Sequence, residues 1–141
     1  MLPDQLEKLD LTWEDLHPLN PRMTYGAVSS FGRTGPDMNR GATDNLGFGA
    51  RGGGTDLLTV EGNDPLPIRQ SVGDRITGMA ACTGILAATL DAQRTGKGKF
   101  IETSLLATGM WAFSTDIANQ MNRGRTAVSK NRQSAALPLS N

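Results

Sequence analysis

Asp74 is the residue in this sequence best placed to do chemistry, in the run Ser71-Val72-Gly73-Asp74-Arg75-Ile76-Thr77-Gly78. A carboxylate held at the start of a helix, between glycines that admit a substrate, can act as a nucleophile. The same carboxylate can instead cap the helix, with Ser71 as the N-cap and Asp74 at the third helical position. The local sequence leaves both interpretations open.

A second candidate is the segment Gly47-Phe48-Gly49-Ala50-Arg51-Gly52, which has the G-x-G-x-x-G form of dinucleotide-binding loops. The context disfavours a nucleotide site, because no apolar strand precedes the segment and Gly53-Gly54 stand where a helix should begin. A flexible or tightly turned segment is the better interpretation. Nine glycines between Gly26 and Gly54 predict a long loop with positive φ angles or close backbone approaches, and long loops often carry function.

His17 and Cys82 are the only histidine and the only cysteine. They are too few for a zinc site of imidazole and thiolate ligands, so no metal is predicted. We expect His17 at the surface, where a short helix ends, and Cys82 as a small apolar residue of a helix. A single cysteine also excludes an internal disulfide, which fits a reducing, cytoplasmic setting.

The overall composition excludes other classes of partner. The 141 residues carry 14 basic and 14 acidic side chains, and zero net charge is unlike a binder of nucleic acid or anionic membranes. The longest apolar run without charge, Gly78 to Leu90, has 13 residues, whereas a membrane span needs roughly 18 to 20. We therefore expect neither a nucleic-acid partner nor a membrane, and 141 residues suit one domain.

The elements that must position Asp74 follow from apolar spacing. A capped helix is predicted after Thr12, ending before Pro18, and then a strand over residues 23–29 covered on both faces. Residues 72–92 predict a helix with small side chains, buried on all sides, and a strand over 100–103 and a helix over 106–121 follow. Trp13 and Trp111 are expected in the core. This order predicts an α/β fold with parallel strands.

Six motifs occur in sequence along the chain: Asn20-Pro21-Arg22-Met23-Thr24-Tyr25, Ser30-Phe31-Gly32-Arg33-Thr34-Gly35-Pro36, Gly73-Asp74-x-x-Thr77-Gly78, Gly84-Ile85-Leu86-Ala87-Ala88, Arg94-Thr95-Gly96-Lys97-Gly98 and Glu102-Thr103-Ser104-Leu105-Leu106. Their order and spacing resemble the class III CoA-transferases of the formyl-CoA and carnitine type. The resemblance implies that residues 1–123 form the central part of a Rossmann-like large domain, incomplete and with few parallel strands. Residues 124–141, which are polar and basic, predict an extended or disordered tail.

The resemblance also implies a role for Asp74 that favours the nucleophile over the helix cap. In that family the matching aspartate attacks an acyl-CoA thioester, and an aspartyl-CoA thioester follows through a mixed anhydride. An incoming carboxylate then takes over the CoA. The coenzyme A thioester is thus a substrate, and no permanently bound cofactor is expected.

Further site residues are assigned by the same resemblance. Asp44 would line the acyl site, with Thr43 beside it as a further substrate-binding residue. Phe48 and Arg51 occupy the family's aromatic and arginine positions and would also contact substrate, and Leu105 would approach the CoA. Racemases of this family have a histidine where Thr43 stands, next to Asp44. Because Thr43 is no acid or base, transfer is preferred over racemization.

The resemblance implies three further parts that this sequence does not contain: an N-terminal CoA-binding segment, a glycine-rich loop over the aspartyl intermediate, and a small domain. We therefore expect a fragment with little or no transferase activity alone. The alternative is a self-associating or acyl-CoA-binding module without catalysis. In either case an apolar helix at 76–90 predicts a homodimer or higher oligomer that buries it.

Overall fold

The computed structural model describes residues 1–69 and 71–124. Its elements, in chain order, are α1 (Pro3–Glu7), α2 (Trp13–Leu16), β1 (Tyr25–Ser29), a π-helix (Asn45–Ala50), α3 (Gly54–Leu58), α4 (Val72–Thr95), β2 (Phe100–Ser104), α5 (Leu105–Ala112) and α6 (Ser114–Arg123). The two strands pair in parallel, with Tyr25 opposite Phe100 and Ser29 opposite Ser104. Helix α4 connects them and packs against both. The fold is a partial α/β domain, as the sequence predicts.

Strand β1 is less covered than predicted. Val28 is 48% exposed, and the residues of β1 alternate between half-buried and exposed along the strand. Within the described ranges β2 is the only partner of β1, so one edge of β1 is free. The prediction of a strand covered on both faces is therefore wrong for this part of the chain.

Helix α4 matches the predicted helix closely but is not buried on all sides. It ends at Gly96, whose left-handed backbone (φ 72°) lets its N–H donate to the carbonyl of Ala92 at 2.9 Å. Small residues face the sheet, and Ala81 and Ala88 are buried. The opposite face carries large exposed apolar side chains, of which Leu86 is 65% exposed.

The predicted helix over 106–121 is two helices. Helix α5 ends and α6 begins at Phe113, whose backbone (φ −105°, ψ 20°) leaves the helical region. Ser104 caps α5 by accepting a hydrogen bond from the N–H of Ala107 at 3.0 Å. Trp111 on α5 is 75% exposed, so the expectation of a core tryptophan is wrong there.

The capped helix α2 forms as predicted, but Trp13 is half-buried and not in the core as expected. Thr12 caps α2 in a capping box with Asp15, and Trp13 stacks on His17 with ring centroids 4.2 Å apart. Trp13 also lies 6.1 Å from the ring of Phe100, which anchors α2 beside β2.

The G-x-G-x-x-G segment is a packing surface within the π-helix and the turn that follows. A Cβ at Gly52 would overlap the carbonyl oxygen of Phe48 and come within 2.9 Å of Cα of Gly109 on α5. A Cβ at Gly47 would lie 2.9 Å from Cβ of Leu105. Gly47 and Gly52 allow the segment to pack closely against α5. The segment is therefore neither an open loop nor a phosphate-binding loop.

Residues 125–141 of the predicted tail lie outside the described residues. None of the helices within residues 1–69 and 71–124 combines the length and the apolar character needed to cross a membrane.

Candidate functional site

A cleft of about 300 Å³ opens at the carboxyl ends of β1 and β2. Parallel α/β sheets bind their ligands at this end. The cleft is lined by the end of β1, the first turns of α4, the start of α5 and part of α1: Met1, Leu2, Gln5, Val28, Ser29, Ser30, Asp74, Thr77, Gly78 and Leu105. The Asp74 side chain is exposed, so its carboxylate is open to a molecule in the cleft.

Ser30 holds the segment after β1 in place. Its hydroxyl oxygen accepts from the N–H of Ala42 at 2.9 Å and lies 3.2 Å from the Ala42 carbonyl oxygen. The backbone carbonyl of Ser30 accepts from the N–H of Leu106 at 3.0 Å. These bonds bring the loop that carries Asp44 against the junction of β2 and α5.

The start of α4 is capped by a distant residue, not by its neighbour. Ser71 has left-handed backbone angles (φ 51°, ψ 44°) and makes no side-chain cap bond. The N–H of Asp74 donates instead to Oδ1 of Asp44 at 3.0 Å. The local cap of Ser71 with Asp74, one of the two interpretations of the sequence, does not form, and Asp44 from the preceding loop performs the capping.

Asp44 and Asp74 bring two carboxylates together. Burial raises the pKa of Asp44, whose side chain is 8% exposed, and the negative charge of Asp74 raises that pKa further. The backbone N–H groups of Asp74 and Gly73 and the positive charge of Arg75 oppose this rise. The net effect is that the pKa of Asp44 lies above its ordinary value.

Phe48 supports the helix start from the core. It is 1% exposed and packs edge-to-face on Phe113 with centroids 5.4 Å apart. A Cβ at Gly73 would overlap both the Phe48 ring and the Asp44 carboxylate, so Gly73 is required for this close approach. Phe48 lines no part of the cleft, and its contact with substrate stays a prediction.

The remaining predicted residues divide between the cleft and its surroundings. Leu105 is buried and lines the cleft together with Asp74. Thr43 is exposed beside Asp44 and is outside the cleft wall. Arg51 points elsewhere: it pairs with Asp37 at 2.9 Å and lies over the ring of Phe31. The substrate contacts assigned to Thr43 and Arg51 stay predictions.

Sequence reasoning missed a buried hydroxyl pair beneath the site. Oγ1 of Thr77 lies 2.6 Å from Oγ1 of Thr108, which donates to the Ser104 carbonyl at 2.9 Å. Thr77 therefore donates to Thr108 and links α4 to α5. Thr77 belongs to the Gly-Asp-x-x-Thr-Gly motif, but nothing in the sequence singles out Thr108.

No group of three His, Cys, Asp or Glu side chains within residues 1–69 and 71–124 is arranged to hold a metal ion. The chemistry open to the cleft is that of an exposed carboxylate beside an apolar wall.

Comparison with known proteins relates this arrangement to one family. The sequence profile described as CoA-transferase family III matches residues 1–141. Formyl-CoA:oxalate CoA-transferases of Escherichia coli O139:H28 and Shigella boydii serotype 18 are each 31% identical over 103 residues, which are 73% of this chain and 24% of theirs. The chain thus spans about a quarter of the length of these relatives.

Solved structures show the same fold. A CAIB/BAIF family protein from Brucella suis superposes with a TM-score of 0.81 at 26% identity, over 91% of this chain and 34% of that one. Rv3272 from Mycobacterium tuberculosis gives a TM-score of 0.79 at 24% identity, over 87% of this chain and 34% of its own. The second likeness concerns the fold alone.

Proposed function

Because the chain belongs to CoA-transferase family III, we propose that it takes part in moving CoA between carboxylic acids, with the Asp74 carboxylate as the nucleophile. The observation that carries this proposal is the position of Asp74: exposed, on the first turn of α4, in the cleft at the carboxyl ends of both strands. The substrates are an acyl-CoA and a free carboxylate, and CoA is exchanged between them.

The proposed reaction alternates anhydrides and thioesters on one carboxylate. An oxygen of Asp74 attacks the thioester carbonyl, the C–S bond breaks, and CoA leaves as the thiolate. The thiolate then attacks the Asp74 carbonyl of the anhydride, which releases the first carboxylate and forms an aspartyl-CoA thioester. An incoming carboxylate repeats the two steps in reverse, giving a new acyl-CoA and free Asp74.

Two features of the cleft suit these steps. The N-terminal end of α4 is positive and favours the negative charge that develops on an attacked carbonyl oxygen. Leu105 offers an apolar wall against which the uncharged part of a CoA arm can lie. Neither feature selects one acyl group over another.

We also propose that the 141 residues alone turn over slowly or not at all. Asp74 is exposed within the described residues, so water in an open cleft competes with CoA for the anhydride and lowers the rate of exchange, while part of the intermediate survives. The coverage of about a quarter of the curated relatives supports this proposal.

We also propose a reducing, cytoplasmic compartment for the protein. The free, exposed thiol of Cys82 supports this proposal.

Trapping of the covalent intermediate tests the role of Asp74. The chain is incubated with formyl-CoA and then with hydroxylamine, which converts an aspartyl thioester or anhydride to a hydroxamate that peptide mass spectrometry locates. We expect the hydroxamate on Asp74, and none in Asp74→Asn. Asp116→Asn is the matched control, because Asp116 also lies in the first turn of a helix.

Labelling of Asp74→Asn at the wild-type level would refute the nucleophile. CoA exchange with oxalate by the purified chain, at a rate typical of enzymes, would instead refute only the proposal of low activity.

A second candidate function, a self-associating or acyl-CoA-binding module without catalysis, is favoured by the exposed apolar face of α4. Met79, Leu86 and Leu90 are all more than half exposed on this face. We propose that they are buried in a homodimer or higher oligomer, since apolar patches of this kind mark contact surfaces.

A further inference from the structure

The Asp44 carboxylate lies beneath the start of α4 and not in the cleft. Its side chain is 8% exposed, and it is absent from the residues that line the cleft around Asp74. Contact with the acyl group, the role that the family resemblance implies for Asp44, stays a prediction.

The first turn of α4 has few other bonds to fix it. Ser71 contributes no side-chain cap, and its backbone is left-handed, a conformation that non-glycine residues adopt at a cost. The carbonyl of Ser71 accepts from the N–H of Arg75 at 3.2 Å. Among residues 1–69 and 71–124, the side-chain acceptor hydrogen-bonded to this turn is Oδ1 of Asp44, which accepts from the N–H of Asp74.

Asp44 is itself rigidly held. It is the N-cap residue of the π-helix, where the carbonyl of the preceding Thr43 accepts from the N–H groups of Leu46 and Gly47 at 3.1 and 2.9 Å. The buried Phe48 ring packs beside it, and Gly73 leaves no side chain between the carboxylate and the helix. These contacts place the Asp44 acceptor at the start of α4 without any bound ligand.

We propose that Asp44 is a positioning residue: its carboxylate fixes the backbone of Asp74, and thereby the direction in which the Asp74 side chain enters the cleft. The inference rests on the proposed function of Asp74, but the contact that it invokes exists without any turnover. Because Asp44 contacts the backbone N–H of Asp74, the Asp74 carboxylate stays open to a molecule in the cleft.

Two substitutions separate acceptor from charge. Asp44→Asn keeps an Oδ1 acceptor and removes the charge, whereas Asp44→Ala removes both. Ser104→Ala is a matched control, because it deletes an equivalent cap bond on α5, to the N–H of Ala107, at 3.0 Å.

Amide hydrogen exchange measured by NMR tests the proposal on the 141-residue chain. We expect the Asp74 amide to exchange at least about tenfold faster in Asp44→Ala, the change expected on losing one hydrogen bond. Asp44→Asn should keep the protection, and Ser104→Ala should expose Ala107 but not Asp74. An unchanged Asp74 rate in Asp44→Ala would overturn the proposal.

A second measurement does not depend on the folding of Asp44→Ala. In Asp74→Asn the amide proton shift of residue 74 should follow the ionisation of Asp44, and in the double variant Asp44→Asn with Asp74→Asn that titration should vanish. Asp74 and Arg75 are the other charged groups facing Asp44. Asp74 is replaced in both samples because its carboxyl group belongs to the residue whose amide is observed, and Arg75 is kept in both. An identical titration in the single and the double variant would contradict the contact.

These outcomes are distinguishable from those of the trapping experiment. If Asp74 is not the nucleophile, no hydroxamate forms, yet the exchange pattern still follows Asp44. If Asp44 does not position Asp74, the hydroxamate forms while the exchange rates stay unchanged.

Discussion

Thr77 is a polar residue that the fold buries completely, with 1% of its surface exposed. Its hydroxyl donates to Thr108, so Thr77→Val keeps the shape and deletes one buried bond. We expect the free energy of unfolding to fall by about 1 kcal/mol, measured by denaturant titration. Thr83→Val on the same helix is the control, since the exposed Thr83 hydroxyl bonds only to the carbonyl of Met79. Equal losses in both variants would contradict a special role for Thr77.

The raised pKa of Asp44 predicts a pH dependence of stability. The folded state holds the Asp44 proton more tightly than the unfolded state, so this contribution is favourable at low pH. It is lost as pH rises from the ordinary carboxyl value through the folded pKa. We expect Asp44→Asn to gain stability relative to wild type as pH rises through that window, in thermal melts from acid to neutral pH.

Asp15 should behave in the opposite sense. Hydrogen bonds from Thr12 lower its pKa, so its contribution is present above the ordinary carboxyl value and is lost as pH falls. Asp15→Asn should therefore lose stability relative to wild type as pH rises through that window. The same slope for both variants would show that the Asp44 effect is not specific.

At the level of single residues, the sequence predicts those site residues that stand in a contiguous motif. Asp74 and Leu105 stand in contiguous motifs, and both line the cleft. The capping bond from Asp44 to Asp74 joins residues 30 positions apart, and no local rule predicts such a partner. The alternative cap from Ser71 does not form: Ser71 has a left-handed backbone, and the acceptor for the N–H of Asp74 comes from the distant Asp44.

At the scale of elements, two glycines of α4 differ in the space around them. A side chain at Gly73 would overlap Asp44 and Phe48, whereas nothing lies within 4 Å of a Cβ at Gly78. We expect Gly73→Ala to cost about 2 kcal/mol or more through overpacking. Gly78→Ala should gain about 0.5–1 kcal/mol, because alanine stabilises a helix interior. Calorimetric melts that gave both changes the same sign would disprove the assigned close approach.

The long regular elements could be predicted because their signals are local. Helix α4 and strand β2 follow from apolar spacing, and α2 follows from the capping pair Thr12 and Asp15. The break between α5 and α6 at Phe113 could not be predicted, because the apolar stripe of residues 106–121 continues through it. The π-helix could not be predicted either, because glycines that permit close packing and glycines that permit turns have the same appearance in a sequence.

At the scale of the whole molecule, the exposed face of α4 predicts self-association. Leu86→Lys with Leu90→Lys places two charges on this face without touching the buried side of the helix. We expect the wild type to sediment as a dimer or larger species with a melting temperature that rises with concentration, and the double variant as a monomer. Leu19→Lys changes a leucine far along the chain from this face, exposed to 81%, and should leave association unchanged. A monomeric wild type would contradict the proposal.

The pairing of β1 with β2 also has a consequence for how the chain acquires its structure. Each strand pair joins residues 75 positions apart, Tyr25 with Phe100 and Ser29 with Ser104. Such non-local pairing makes folding slow, because a large loop must close before any sheet contact forms. During synthesis at roughly 5–20 residues per second, β1 waits about 4 to 15 s for its partner to emerge from the ribosome. Through that interval the edge of β1 that later pairs with β2 stays unpaired and is open to non-native contacts.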